Sequence, residues 1–158
     1  MVISLEWVHY IGNFLERAGR VGKQYNFAQW YPRVVVYDEN GWFDEPFHAE
    51  GEFYGEFGTY KVKMDVPKGY IIGSTGTLTE GDPGWKEVEV DTSQNFSDWL
   101  QNFKDNRIKY STYDRRVVSF YAENVHDFAW VTSPDFLYEY GSWDGIDVHV
   151  LYLSLIHI

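Results

Sequence analysis

The sequence predicts an all-β domain with one short helical excursion. Segments that alternate apolar and polar residues, an abundance of β-branched and aromatic side chains, and turn-forming residues between these segments carry that reading. The alternation is clearest where Tyr60, Val62, Met64 and Val66 interleave with Thr59, Lys61, Lys63 and Asp65, the period of a half-buried strand. Aromatic residues make up 20% of the chain, with 7 Trp, 13 Tyr and 11 Phe, and flat, bulky side chains suit a pleated surface.

In chain order, Val2-Ile3-Ser4-Leu5-Glu6-Trp7 has the composition of a strand inside a core. Val34-Val35-Val36-Tyr37 is a continuous apolar run and predicts a strand covered on both faces. Asp38-Glu39-Asn40-Gly41 closes that run with a dipeptide suited to a tight hairpin. After the alternating strand, Pro67-Lys68-Gly69 turns the chain into Tyr70-Ile71-Ile72, and the glycines of Gly73 to Gly76 loosen the backbone beyond it. Residues 95–104 predict the helix, with Thr92, Ser93 or Asn95 as N-cap and Phe96, Trp99, Leu100 and Phe103 on one face. Val117 to Glu123 and Ile146 to Val150 predict two further strands. No repeat, low-complexity tract or interdomain linker interrupts the pattern.

The 158 residues suit a single core. The formal net charge of −11 argues against nucleic acid and anionic membranes as partners, because both require Lys and Arg contacts. Cys is absent, so there is neither a disulfide framework nor a thiolate metal site. No apolar stretch reaches bilayer-spanning length, and Met1 leads into Val2 to Trp7 without the features of a signal peptide. Both ends read as cut. Leu153-Ser154-Leu155-Ile156-His157-Ile158 matches the translation of a sequencing-library adapter and is expected to be a non-native tail; an apolar strand end is the alternative. The expected domain is therefore residues 1–152.

Few residues suggest chemistry. The histidines are His9, His48, His126, His149 and His157, none in a His-x-x-x-His or His-Glu-x-x-His pattern. His48, Glu50 and Glu52 cluster in a Gly-containing loop without a helix to present them to a metal. Glu50, Glu52 and Glu56 surround Phe53-Tyr54-Gly55, but an acid–base pair needs a fixed separation across a cleft, and a solvated acidic face explains them. Asp38 and Asn40 carry only a trace of a calcium loop and suit a turn. His126-Asp127 is expected to fix a strand end by hydrogen bonding. There is no nucleophile elbow or phosphate-binding glycine loop, and Gly73-Ser74-Thr75-Gly76 reads as a bend or bulge.

The order of several segments says more. Tyr25-Asn26-Phe27-Ala28-Gln29-Trp30-Tyr31-Pro32-Arg33, then Val36 to Trp42, then Glu52 to Tyr60, Val66 to Gly76 and Asn124 to Trp130 run in one sequence. Together they resemble the N-terminal domain of bacterial M1-family (gluzincin) zinc aminopeptidases, from about Trp7 to Tyr152. The resemblance implies an incomplete sandwich or saddle-like β-domain that packs against a catalytic domain of the same polypeptide. It places zinc, the His-Glu-x-x-His helix and the reaction on peptide N-termini in that missing domain, so no catalytic or metal-binding residue is expected here. In the family, a Gln-x-(Glu or Gln) element reaches the cleft and helps hold the substrate's free amine. Gln29 and Tyr31 occupy that element. Gln29 matches it, whereas Tyr31 puts an uncharged phenol where the second acceptor stands. The alternative from residues alone is a free-standing aromatic-rich β-sandwich that binds carbohydrate or peptide.

Overall fold

The computed structural model describes residues 2–14, 17–44, 51 and 53–154. Its strands are β1 (Ala18–Val21), β2 (Gln24–Phe27), β3 (Tyr37–Asp38), β4 (Gly41–Trp42), β5 (Gly58–Pro67), β6 (Ile71–Ser74) and β7 (Thr77–Gly81). A 3-10 turn at Trp85–Glu87 and helix α1 (Phe96–Asn106) precede β8 (Arg115–Val125), β9 (Trp130–Ser133), β10 (Phe136–Trp143) and β11 (Ile146–Leu153). The fold is all-β. All strand ladders are antiparallel: a four-stranded sheet β1-β2-β9-β6, a three-stranded sheet β5-β8-β7, and the hairpins β10-β11 and β3-β4.

Alternating side chains stack these sheets in layers. In β5, Tyr60, Val62, Met64 and Val66 point inward and Lys61, Lys63 and Asp65 outward, as their alternation predicts. They join Val118, Phe120 and Ala122 of β8 in a core that includes Ile72 of β6 and Phe128. Ile71, next to Ile72, faces the other way and packs with Val88, Phe136 and Tyr138, against which Val131, Leu151 and Leu153 lie. Leu137 turns to the far side of the β10-β11 hairpin, where Val90, Trp99 and Leu100 cover it. The paired ends of β6 and β9, at Ile71, Ile72, Thr132 and Ser133, and the root of the hairpin are thus buried on both faces.

The helix begins one residue inside the predicted span. Asn95 caps it, its Oδ1 accepting the backbone N–H groups of Ser97 at 3.0 Å and Asp98 at 3.4 Å. Trp99 and Leu100 are buried, and Phe103 packs beside them, but Phe96 remains on the solvent side at 40% exposure. At the β6–β7 turn, Gly76 has φ +86° and lies so close to β8 that a Cβ would collide with the Tyr121 carbonyl oxygen.

Two strand expectations are corrected. Residues 2–12 form no strand, since no neighbouring segment offers them a ladder among the described residues. Val34-Val35-Val36 also lies outside any strand. Val36 alone is buried, and only Tyr37–Asp38 enters the short β3. β-branched composition favours a pleated surface only where a partner strand exists to form one. The predicted turn does form: Tyr37 pairs with Trp42 and Asp38 with Gly41, so the loop residues are Glu39 and Asn40. The tail starts within the structure, with Leu153 paired to Phe136 and Ser154 buried.

Arg116 joins the turns at one end of the core. It is 4% exposed, and its Nε and Nη2 donate to the Lys68 carbonyl at 3.1 and 2.9 Å. Nη1 donates to the Asp82 carbonyl at 2.5 Å and Nη2 to Glu87 Oε1 at 2.7 Å. A buried guanidinium is tolerable only with its donors matched in this way. Arg116→Ala is expected to lower stability by about 3 kcal/mol in urea denaturation, since it strands these acceptors.

Candidate functional site

Strand β2 stops at Phe27, and the chain bends sharply through Ala28 and Gln29. Gln29 has φ +53°, a left-handed conformation that a residue with a Cβ adopts only when its surroundings hold it there. The holding group is far away in sequence. Asp127, in the segment between β8 and β9, accepts the Gln29 backbone N–H on Oδ2 at 3.2 Å. Its Oδ1 accepts the Tyr31 hydroxyl at 2.7 Å.

Neighbouring contacts repeat the link. Trp30 Nε1 donates to the Phe128 carbonyl at 2.9 Å, and Arg33 Nη2 donates to the His126 carbonyl at 2.9 Å. The Arg33 guanidinium lies directly over Gly55, in the space a Cβ would occupy, so a side chain at residue 55 would displace it. Aromatic rings enclose the bend. Trp30 meets Tyr31 edge-on at 5.4 Å and Trp130 at 6.4 Å, while Trp7 tilts against it at 6.2 Å.

The structure thus brings Gln29 and Tyr31 together and adds a group that the sequence pattern assigns to structure alone. Tyr31 is half-buried, and its phenol is joined to that of Tyr60 by a 2.9 Å hydrogen bond. Burial, then the bonds to Tyr60 and Asp127, push the Tyr31 hydroxyl far above the usual phenol range. It therefore stays protonated, and its proton is directed at the carboxylate. The negative charge at this place belongs to Asp127. Gln29 is also engaged through its side chain, with Oε1 accepting from Arg17 Nη1 at 3.2 Å. His126 contributes its carbonyl, while its neighbour Asp127 makes the hydrogen bonds that fix the segment ahead of β9. The sequence marks Asp127 as fixing a strand end by hydrogen bonding but does not reveal the groups it holds, because they lie 98 and 96 positions away.

What the site offers is acceptors. A carboxylate, a phenol oxygen and an amide within one aromatic enclosure suit a protonated amine or a hydrogen-bond donor. Among the described residues, no group of three or more His, Asp or Glu side chains is placed to hold a metal ion. The cluster of His48, Glu50 and Glu52 lies outside the described residues. Glu56 is solvent-exposed, and the Asp38 carboxylate accepts the Asn40 N–H at 2.8 Å in a simple turn. No helix among the described residues is long and apolar enough to cross a membrane.

Comparison with protein-family models finds no matching family, and comparisons with curated proteins and with solved structures find no match.

The phenols lead to two expected outcomes. Tyr31→Phe removes a hydrogen bond to a charged acceptor and is expected to cost about 2 kcal/mol in urea denaturation. Tyr152, donating to Glu139 at 2.5 Å, is pushed up to about 12, first by burial and then by that bond. A phenol raised in the folded state stabilises the fold fully below its unfolded value near 10 and loses that contribution as pH climbs through the folded value. Thermal melts are therefore expected to fall between about pH 10 and 12, and Tyr152→Phe to flatten part of the fall.

Proposed function

We propose that the chain is the non-catalytic N-terminal β-domain of a gluzincin zinc aminopeptidase, and that the Gln29–Tyr31 bend is its contribution to the substrate cleft. One observation carries the reading. Tyr25 to Arg33 and Asn124 to Trp130, two of the blocks that together carry the resemblance, are joined in space through Asp127, Phe128 and His126. A bend held in a left-handed conformation by a distant carboxylate is the kind of strained, over-determined geometry found at functional positions.

In this reading the domain walls the cleft and orients the peptide's N-terminus, while the water-activating metal and its helix belong to the catalytic domain of the same polypeptide. Zinc held by that domain would supply Lewis-acid chemistry to the scissile carbonyl and the attacking water. This chain's own part is recognition. Asp127 supplies negative charge beside the uncharged Tyr31, Gln29 borders the same place, and Trp30 with Trp130 shields it from water, which strengthens each polar contact.

A second reading rests on the β3-β4 hairpin. Tyr37 and Trp42 form an edge-on pair at 5.0 Å while exposing 67% and 65% of their surfaces, a platform on which a sugar or peptide can stack. That reading predicts glycan or peptide binding by the chain alone, abolished by Trp42→Ala.

Sequencing the source locus across both ends tests the first reading. The frame is expected to continue beyond Tyr152 into a His-Glu-x-x-His helix with a downstream Glu. The encoded enzyme should then cleave peptides with a free amine in preference to acetylated ones, and Gln29→Ala should raise KM. A frame that closes after Ile158 would falsify the reading and leave the binding module.

A further inference from the structure

A second site lies at the opposite end of the middle sheet from the Asp127 bend, and it does not depend on the aminopeptidase reading. A cavity of about 450 Å³ opens there, within the roughly 300–1,000 Å³ range of small-molecule sites. It is bounded by the β1–β2 turn, the start of β6, the β9–β10 turn and the segment 107–112 that leads from α1 towards β8.

Its lining runs against the charge of the molecule. The chain carries 24 acidic and 13 basic residues, yet Lys23, Arg107 and Lys109 all border this cavity. The two carboxylates there are already engaged. Glu87 is bound to the buried Arg116 at 2.7 Å, and Asp135 faces Arg107 at 3.5 Å. Neither Lys23 nor Lys109 has an acidic partner within ion-pair distance among the described residues. A further cation stands at the rim, with Lys68 Nζ 5.1 Å from the centre of the Tyr110 ring. In a chain of net charge −11, lysines left without carboxylates around a concave surface create a local positive potential that favours an anion.

The remaining lining gives the ligand its shape. Tyr70 and Tyr110 are half-buried and flank the cavity, while Ile108 lines it with 61% of its surface exposed. Ser111 and Thr112 add hydroxyl donors at the edge. Two tyrosine rings and an isoleucine are poor company for inorganic phosphate but suit a flat apolar body bearing one carboxylate.

We propose that this cavity binds a small aromatic carboxylate. Its carboxylate group meets the ammonium groups of Lys23 and Lys109, and its ring lies against Tyr70, Ile108 and Tyr110. Arg107 stays with Asp135 and with the Phe103 ring, 5.6 Å from its guanidinium carbon, and closes the site from the helix side.

The test is a titration of the full chain, followed by heteronuclear NMR, with benzoate, benzylamine and inorganic phosphate as separate probes. Benzoate is expected to shift the amide signals of Lys23, Tyr70 and residues 107–112 saturably, with weaker binding as salt rises. Benzylamine should leave those signals in place, and phosphate should bind more weakly than benzoate. The exposed double change Lys23→Gln with Lys109→Gln is expected to weaken benzoate roughly tenfold or more, the scale of a lost charge-assisted hydrogen bond, without moving the melting temperature. The proposal is overturned if benzoate produces no saturable shifts there, if benzylamine or phosphate binds as well, or if the double variant binds benzoate undiminished.

Discussion

Ile71 and Ile72 are adjacent in β6, project to opposite faces of the middle sheet, and are 1% and 0% exposed. Around these two residues, with Thr132 and Ser133 beside them, the sheet has no solvent face, and both neighbouring layers must be present for it to be dry. Each such side chain contributes roughly 1.5–3 kcal/mol when fully buried. Hydrogen bonding obeys the same constraint: the buried Thr132 satisfies its hydroxyl by donating to the Ile71 carbonyl at 2.8 Å. With β6 and β9 fixed between two cores, the segment that enters β9 is fixed as well, and Asp127 lies in that segment.

The functional geometry grows from this placement. Asp127 is just ahead of β9, which is paired on both edges with β2 and β6, so its carboxylate is carried on a fixed support. It then imposes the left-handed turn at Gln29 and accepts the hydroxyl proton of Tyr31 in a hydrogen bond. Tyr31 also touches Tyr60 of β5, which ties the bend to the outer sheet. The bend is thus set by two sheets at once. The lysine-lined pocket proposed for benzoate-like ligands uses different elements, at the other end of the same middle sheet, where the β1–β2 and β9–β10 turns come together.

Periodicity made part of this legible. The alternation of β5 gave both its existence and its buried face, and the Asn95 cap with Trp99 and Leu100 gave the helix to within two residues at its end. It did not reveal Phe136-Leu137-Tyr138. These residues are consecutive and all buried, because the hairpin root packs on the middle sheet with one face and on α1 with the other. The Val34–Val36 run misled for the converse reason: its composition suits a strand, but no partner strand lies beside it among the described residues. At the site, Gln29 and Tyr31 were readable only through the order of segments around them. That Asp127 fixes a strand end by hydrogen bonding was legible, but its partners were not, because they lie nearly a hundred residues away.

The central claim is that the Asp127 carboxylate holds the Gln29–Tyr31 bend. Amide hydrogen exchange at Gln29, measured in the wild-type chain and in Asp127→Ala, addresses it directly. The account predicts a protected Gln29 N–H in the wild type, and loss of that protection in the variant while Val131 and Thr132 of β9 stay protected. Rapid exchange at Gln29 in the wild type, or protection that survives the substitution, would contradict it.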